Sequence, residues 1–393
     1  MNEKKSLQTT LVHSDYRAPE GFAALQPAIH YASTVVFENV EAMRGRQWMD
    51  KSGYTYGLHG TPTTFTLEGR LAEIEGGKHC VLTGSGLSAL SVVNFAFLKS
   101  GDHLLIPDNA YSPNRDLATW MARDFGIAVD FYDPLIGAGI AALIRDNTRL
   151  IWAEAPGSIS MEVPDIPAIC AAARARGVPV ALDNTWSAGI AWSAFEHGVD
   201  IVMHALTKYQ SGGSDILMGA LITRDDVFNQ RLSMAHMRMG QGVSFDDAYL
   251  VLRSLSSLKL RFDAHDAGAR KVAHWLKGRP EIARVLHPAL PDCPGHEIWK
   301  RDFKAAGGLF SVIFDARYSG AQTDRFVDAL KLFKIGFSWG GAHSLCVPYQ
   351  MTSIRKSWQE LGSLVRFNIG LEDADDLIRD IEQALRTLNE VAK

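Results

Sequence analysis

Asp200-Ile-Val-Met-His-Ala-Leu-Thr-Lys208-Tyr-Gln-Ser-Gly-Gly-Ser214 is the stretch that decides the fold. A short apolar run, the mark of a buried strand, ends in a lysine and then in a glycine turn. An exposed lysine is out of place between that run and Tyr209. Upstream, Val178-Pro-Val-Ala-Leu-Asp183-Asn reads as a second apolar strand with a carboxylate at its end. Ligands of open α/β sheets sit beyond the carboxyl ends of the strands. A primary amine and a carboxylate placed there suit pyridoxal phosphate (PLP). The amine forms a Schiff base with the aldehyde, and the carboxylate keeps the pyridine nitrogen protonated so that the ring accepts electrons.

A third feature points the same way. Thr83-Gly-Ser-Gly-Leu-Ser-Ala89 follows a strand and opens a helix, so its backbone N–H groups can receive a phosphate with help from the helix dipole. The turn also fits G-x-G-x-x-A, with an acidic residue, Asp108, further along, which is the dinucleotide fingerprint. A nicotinamide-dependent oxidoreductase is therefore a rival, but it leaves Lys208 and Asp183 without a role.

Outward from these motifs, short apolar runs alternate with helical segments. His79–Thr83, His103–Pro107, Ile127–Phe131, Leu150–Glu154, Pro179–Asp183, Ile201–His204 and Ile216–Ile222 read as strands. Helices fit Leu87–Leu98, Pro113–Phe125 with Ser112 as cap, Pro164–Arg176 and a segment after Arg224. This alternation predicts an α/β fold with a mostly parallel, doubly wound sheet. A leucine-punctuated helical stretch from Asp246 to Lys277 leads to a smaller α+β unit. Its predicted strands are Leu309–Phe314, Lys334–Ser338 and Leu364–Asn368, and a helix over Asp373–Leu388 closes it. Residues 1–60 show no long periodic segment and read as an arm, 61–255 as the cofactor domain and 256–393 as the C-terminal domain.

The 393 residues are 47% hydrophobic and 21% charged, which is ordinary for a globular chain with large cores. A net charge of −4 gives no general pull towards nucleic acid or an acidic membrane. The first ten residues hold no apolar signal segment, and no run is long enough for a membrane span. The four cysteines, Cys80, Cys170, Cys293 and Cys346, are scattered, form no metal-binding pattern and suit a cytoplasmic chain with reduced thiols.

Several runs together carry a specific resemblance. Thr207-Lys208-Tyr209 with a downstream Gly-Ser-Asp, Asp183-Asn-Thr-Trp, Gly101-Asp-His, Ser338-Trp-Gly-Gly and Arg366-Phe-Asn-Ile-Gly-Leu-Glu-Asp resemble the Cys/Met-metabolism PLP-dependent enzymes. Phe131-Tyr-Asp-Pro-Leu-Ile-Gly-Ala, Pro156-Gly-Ser-Ile-Ser-Met-Glu-Val and His287-Pro-Ala-Leu-Pro are similar to that family's β-lyase branch, which acts on cystathionine. The resemblance implies a fold-type-I, transferase-like architecture and α,β-elimination on a sulfur amino acid. It also implies a homotetramer, a dimer of dimers with shared active sites. By position, Lys208 would be the Schiff-base lysine and general acid/base, and Asp183 the partner of the pyridine nitrogen. Tyr111 would stack on the cofactor ring near the reacting atoms and would assist in deprotonating the incoming amine. Gly86, Leu87 and Thr207 would hold the phosphate, with Tyr56 reaching across from the neighbouring subunit. Arg366 would clamp the substrate α-carboxylate, with Ser338 and Trp339 as the wall beside it.

The departures matter as well. The family's arm usually reads Tyr-Gly-Arg-x-Gly-Thr, and the β-lyases carry two adjacent arginines there. Here the segment is Tyr56-Gly-Leu58-His59-Gly-Thr61, and His343 stands where glutamate is usual. His59, near half-titration at neutral pH, would meet the distal end of the substrate. Weaker recognition of a distal carboxylate is the expectation. Within the family the rivals are γ-lyase and γ-synthase chemistry, against which Trp339 counts because the γ-enzymes usually carry leucine there. A non-catalytic PLP-binding protein is the remaining alternative.

Overall fold

The computed structural model describes residues 6–13, 16, 18, 20–49 and 51–389. Of the arm assigned to residues 1–60, positions 1–5, 14, 15, 17, 19 and 50 lie outside the described residues. The larger sheet has seven strands: β1 (His79–Thr83), β2 (His103–Pro107), β3 (Ala128–Tyr132), β4 (Thr148–Glu154), β5 (Val180–Asp183), β6 (Ile201–Ala205) and β7 (Gly219–Thr223). Their spatial order is β1-β7-β6-β5-β4-β2-β3. Every pair from β6 to β3 is parallel, and β7 runs antiparallel to both its neighbours. The apolar runs are uninterrupted because both faces are covered. Leu104 and Ile106 on β2 and Trp152 on β4 pack into the cluster on one face, and Leu105, Ile151 and Ala153 into the cluster on the other.

The second sheet has five strands, β8 (Ile282–Leu286), β9 (Leu309–Phe314), β10 (Lys334–Ile335), β11 (Leu345–Tyr349) and β12 (Leu364–Asn368), in the order β10-β11-β12-β9-β8. Between the sheets, the helical stretch expected over Asp246–Lys277 is two helices, Phe245–Leu255 and Leu258–Lys277. The break has a use. Arg261 on the second helix donates Nη1 to the Tyr209 carbonyl at 2.6 Å and Nη2 to Ser254 Oγ at 2.8 Å, while Ser254 Oγ donates to the Ser211 carbonyl at 2.8 Å. A continuous helix would carry one of these anchors away from the turn that follows Lys208. The Leu258–Lys277 helix gives Leu258 and Phe262 to the core under the large sheet, and Ala269, Val272 and Leu276 to the core of the second unit.

Three expectations need correction. The Pro113–Phe125 helix begins at Ser112, so Ser112 is not its cap. Tyr111 is the flanking residue and makes no side-chain cap bond, because its backbone is already held from across the sheet: its N–H donates to Glu154 Oε2 at 2.8 Å. The strand expected over Lys334–Ser338 stops at Ile335, since the chain must leave the sheet to bring Ser338 to Lys208. The helix Pro62–Glu75, with Thr61 as its cap, follows the arm and was not expected from the sequence. Among the described residues no helix is long and apolar enough to cross a membrane.

Candidate active site

Lys208, Asp183 and the Ser85–Leu87 turn come together at the carboxyl edge of the large sheet, and residues of the second unit close over them. The cavity is about 620 Å³ and is also lined by Tyr111, Thr207, Ser338, Trp339 and Arg366. That volume suits a small-molecule site.

Two neighbours set the amine. Lys208 Nζ donates to Ser338 Oγ at 3.0 Å and lies over the Trp339 ring, 5.4 Å from its centre. Burial, with the Arg366 guanidinium adding to it and Asp183 opposing, pulls the ammonium down to about 8. The shift makes the free amine that a nucleophile or base requires far more accessible near neutral pH than it is in an ordinary lysine. Ser338 and Trp339 reach Lys208 only because the next residue is glycine. Gly340 has φ +78°, and a Cβ there would stand 2.9 Å from the Tyr209 backbone nitrogen and 3.1 Å from the Lys208 carbonyl carbon. Gly340→Ala is therefore expected to cost about 2 kcal/mol or more, through left-handed strain and overpacking. A lowered melting temperature together with a weakened Lys208–Ser338 contact would register it, and an unchanged melt would refute it.

Asp183 ends β5 and Glu154 ends β4, and the two residues face each other in register. Thr185 gives Asp183 Oδ1 two hydrogen bonds, from its N–H at 3.0 Å and its hydroxyl at 2.5 Å. Among the described residues nothing is bonded to Oδ2. Burial raises the Asp183 carboxyl above its ordinary range, against the pull of Thr185, His204 and Lys208. A buried carboxylate in this condition is short of a cation. Glu154 is likewise raised, by burial and by Asp183. Burial, then Asp183 and Glu154, raise the Tyr111 phenol too, so at neutral pH it donates a proton rather than accepting one.

Two helical amides complete the floor. Ser85 caps the Gly86–Phe97 helix, accepting from the Ser88 N–H at 3.0 Å, and the first amides of that helix, Gly86 and Leu87, have no intrahelical partner. A Cβ on Gly86 would lie 2.8 Å from Ala205 Cβ, so only glycine lets the turn sit this close to β6. Thr207 lies alongside, its hydroxyl accepting from the Met218 N–H at 3.2 Å.

On the facing wall Arg366 is 5% exposed. Its Nη1 donates to the Ser158 carbonyl at 3.1 Å and its Nη2 to the Phe337 carbonyl at 2.7 Å, while its guanidinium lies over the Tyr349 ring at 5.2 Å. Among the described residues it forms no ion pair, so its charge is fixed in place and open to an anion. Ser158, Phe337, Tyr349, Thr185 and Glu154 were not foreseen as site residues. Only Glu154 left a signal, as an acid closing an apolar strand just as Asp183 does.

Tyr56 and His59 are not brought to this cavity within one chain. Tyr56 pairs with Thr34 in an isolated bridge, and His59 stacks on Trp48 with ring centres 4.8 Å apart. Both line a separate hollow of about 330 Å³ against the Pro62–Glu75 and Asp226–Arg238 helices. Within the single chain, burial and then the Arg46 guanidinium hold His59 below the usual imidazole range. His343 is exposed, and its side chain is not among the groups lining the Lys208 cavity.

A free amine, a carboxylate lacking a cation, open helix amides and an unpaired guanidinium around one cavity define an α/β enzyme that holds a phosphorylated aldehyde cofactor and an acidic substrate. The chain belongs to the Cys/Met metabolism PLP-dependent enzyme family, whose sequence model spans residues 8–386. It is 39% identical to the cystathionine beta-lyase MetC of Escherichia coli K12, covering 96% of this chain and 98% of that one. It is 38% identical to the cystathionine beta-lyase of Haemophilus influenzae, over 97% and 98% of the two chains. Among solved structures, metB from Corynebacterium glutamicum superposes with a TM-score of 0.90 at 30% identity, covering 98% and 99%. The enzyme is PLP-dependent and of fold type I. Its residues fit the cofactor: the Gly86 and Leu87 amides open a helix at the cavity, and among the described residues Asp183 Oδ2 has no hydrogen-bond partner.

Proposed function

We propose that this chain is a carbon–sulfur β-lyase: it cleaves a cysteine thioether by α,β-elimination to a thiol and aminoacrylate, which one water hydrolyses to pyruvate and ammonia, with homocysteine as the thiol when cystathionine is the substrate. The observation that carries the reading is the Lys208 amine held between Ser338 Oγ and the Trp339 face, in one cavity with a guanidinium that has no carboxylate of its own. The likeness to two cystathionine beta-lyases over nearly the full chain supports it.

In this reading Lys208 would hold the cofactor through Nζ, Asp183 would pair with the pyridine nitrogen and Tyr111 would lie against the ring. The Gly86 and Leu87 amides and the Thr207 hydroxyl receive the phosphate. Bound PLP supplies an electron-poor ring that stabilises the charge left on Cα. Arg366 grips the α-carboxylate with a planar fork and so fixes which bond at Cα lies ready for cleavage. Ser338 and Trp339 keep the freed Lys208 amine beside that carbon. Lys208 removes the Cα proton and returns one to the departing sulfur. Tyr111, whose phenol stays protonated, orients the substrate amine by donating to it rather than serving as its base. Tyr56 and His59 act in the active site of a second copy, which makes the working unit a dimer at least and a homotetramer by family likeness. A cytoplasmic setting suits four buried free thiols.

The departures in the arm set the substrate preference. Leu58 removes one fixed cation, and His59 puts an imidazole, lowered by burial and Arg46 within the single chain, where the other would stand. We expect S-alkyl cysteines to be cleaved with kcat/KM within about tenfold of cystathionine, since one screened charge contact is worth about 1 kcal/mol. A pyruvate-release assay over a panel of cysteine thioethers tests this. Release of 2-oxobutyrate in place of pyruvate would move the enzyme to the γ-lyases, and a preference for cystathionine of a hundredfold or more would overturn the reading of the arm.

A further inference from the structure

We infer that Arg355, which lies outside the cavity, is a positioning residue: one guanidinium ties together the three chain segments that aim Tyr111 and Arg366 at the substrate. The inference rests on the reading of Arg366 as the carboxylate clamp and adds what holds that clamp in place.

Arg355 closes the short helix Met351–Ile354 in the second unit. Its Nη2 forms an ion pair with Asp108 Oδ1 at 2.9 Å, and its Nη1 donates to Glu162 Oε1. The three side chains are 12%, 18% and 8% exposed, so this is a sheltered ion triad rather than a surface pair. Water screens such a group little, and its geometry is fixed.

Each partner leads to the site. Asp108 opens the Asp108–Tyr111 loop, and its Oδ2 also accepts from Ser357 Oγ at 2.8 Å. Beyond Tyr111, Arg115 Nη1 donates to the Ile354 carbonyl at 2.6 Å. Both flanks of Tyr111 are thus fastened to the segment that carries Arg355. Glu162 Oε2 accepts from Asn109 Nδ2 at 2.9 Å and from Ser160 Oγ at 2.5 Å, and the Glu162 carbonyl accepts from the Gly157 N–H at 3.0 Å. That holds the Gly157–Glu162 loop, whose Ser158 carbonyl receives Arg366 Nη1. Upstream of Arg355 the same segment begins at Tyr349, the ring beneath the Arg366 guanidinium. Arg366 therefore has a carbonyl partner on one tied loop and an aromatic support on another. Arg366 touches both loops from inside the cavity, and Arg355 ties them a second time from behind it.

A planar fork holds two carboxylates in a fixed relative direction, whereas an ammonium is a point charge on a flexible stem and fixes neither. Loosening the triad lets the Ser158 carbonyl and the Tyr349 ring drift relative to each other, and with them the direction of Arg366. Displacements near 1 Å are costly at a positioned group. The loss should fall on ligands that carry a carboxylate and spare those that do not.

The test uses holoenzyme titrated by visible absorbance with L-alanine, which has the α-carboxylate, and with ethylamine, which lacks it. Arg355→Lys and Glu162→Gln, both close in size to the originals, are expected to weaken L-alanine by roughly tenfold and ethylamine by less than about twofold. The spectrum of the resting holoenzyme should stay unchanged. Equal weakening of both ligands would mark a merely structural role, and no weakening would mark no role; either overturns the inference. Arg366→Leu is the reference variant. If it too leaves the L-alanine to ethylamine ratio unchanged, the clamp reading fails and the inference falls with it. If Arg366→Leu collapses the ratio while the triad variants preserve it, the clamp stands and only the role of Arg355 is lost. Should Arg355→Lys fail to accumulate as folded protein, Glu162→Gln alone decides, because it keeps the amide in place of the carboxylate and removes only one ion pair.

Discussion

Lys208→Ala should lower pyruvate release by about four orders of magnitude while the protein still folds and still takes up PLP non-covalently. The size follows from the lost proton carrier, since a positioned general acid or base contributes up to about ten-thousandfold. Among the described residues no other amine lines the cavity to replace it. Folding should survive, because Nζ makes a single hydrogen bond, to Ser338, and its removal relieves a cation from a buried site. The unsubstituted protein supplies a companion measurement. Because the amine titrates near 8, covalent uptake of PLP by the apoprotein should quicken as pH rises towards 8 and level off above it. An ordinary lysine would keep gaining free amine up to about pH 10.4. Near-normal turnover by Lys208→Ala would remove the basis of the whole assignment.

The second large effect falls on Asp183→Asn. The amide oxygen can keep both Thr185 bonds, so the change is confined to Oδ2, which becomes an NH₂ facing the cavity. An amide cannot hold the pyridine nitrogen protonated. A carboxylate facing a cation at contact distance is worth about 4 kcal/mol at an effective dielectric of about 20, or about three orders of magnitude in rate. The apoprotein should respond in the opposite sense. Burial raises the folded-state pKa of this carboxyl, so at neutral pH the ionised group opposes folding, and that opposition fades as pH falls below its folded value. Asp183→Asn apoprotein should therefore melt no lower than the parent at pH 7, while the variant holoenzyme loses activity and cofactor affinity. A destabilised apoprotein with intact turnover would mean that Asp183 is only a strand cap.

Lys208, Asp183 and the Ser85–Leu87 turn were legible in the sequence because each interrupts a pattern: a polar or glycine residue closes an apolar run whose period is plain. The strands around them were legible for the same reason, and β1, β2, β9 and β12 have the expected limits. What escaped was non-local or disguised. β11 contains Pro348, which argues against a strand, yet β10 pairs only with Leu345 and Cys346, so at Pro348 the outer edge of β11 needs no N–H. The Pro62–Glu75 helix is hidden by a polar first half. The Ser158 carbonyl, the Tyr349 ring and the Arg355 triad involve residues far apart in the chain, and no spacing rule announces them.

The Leu258–Lys277 helix has a consequence for how the molecule can be divided. It is the common wall of two interiors, with Phe262 in one and Val272 in the other. Severing the chain ahead of it would strip a wall from the amino-terminal fragment, and severing behind it would do the same to the carboxyl-terminal one. Fragment complementation or gene fusion in this protein must therefore leave this helix joined to both units, since a break on either side of it opens one core.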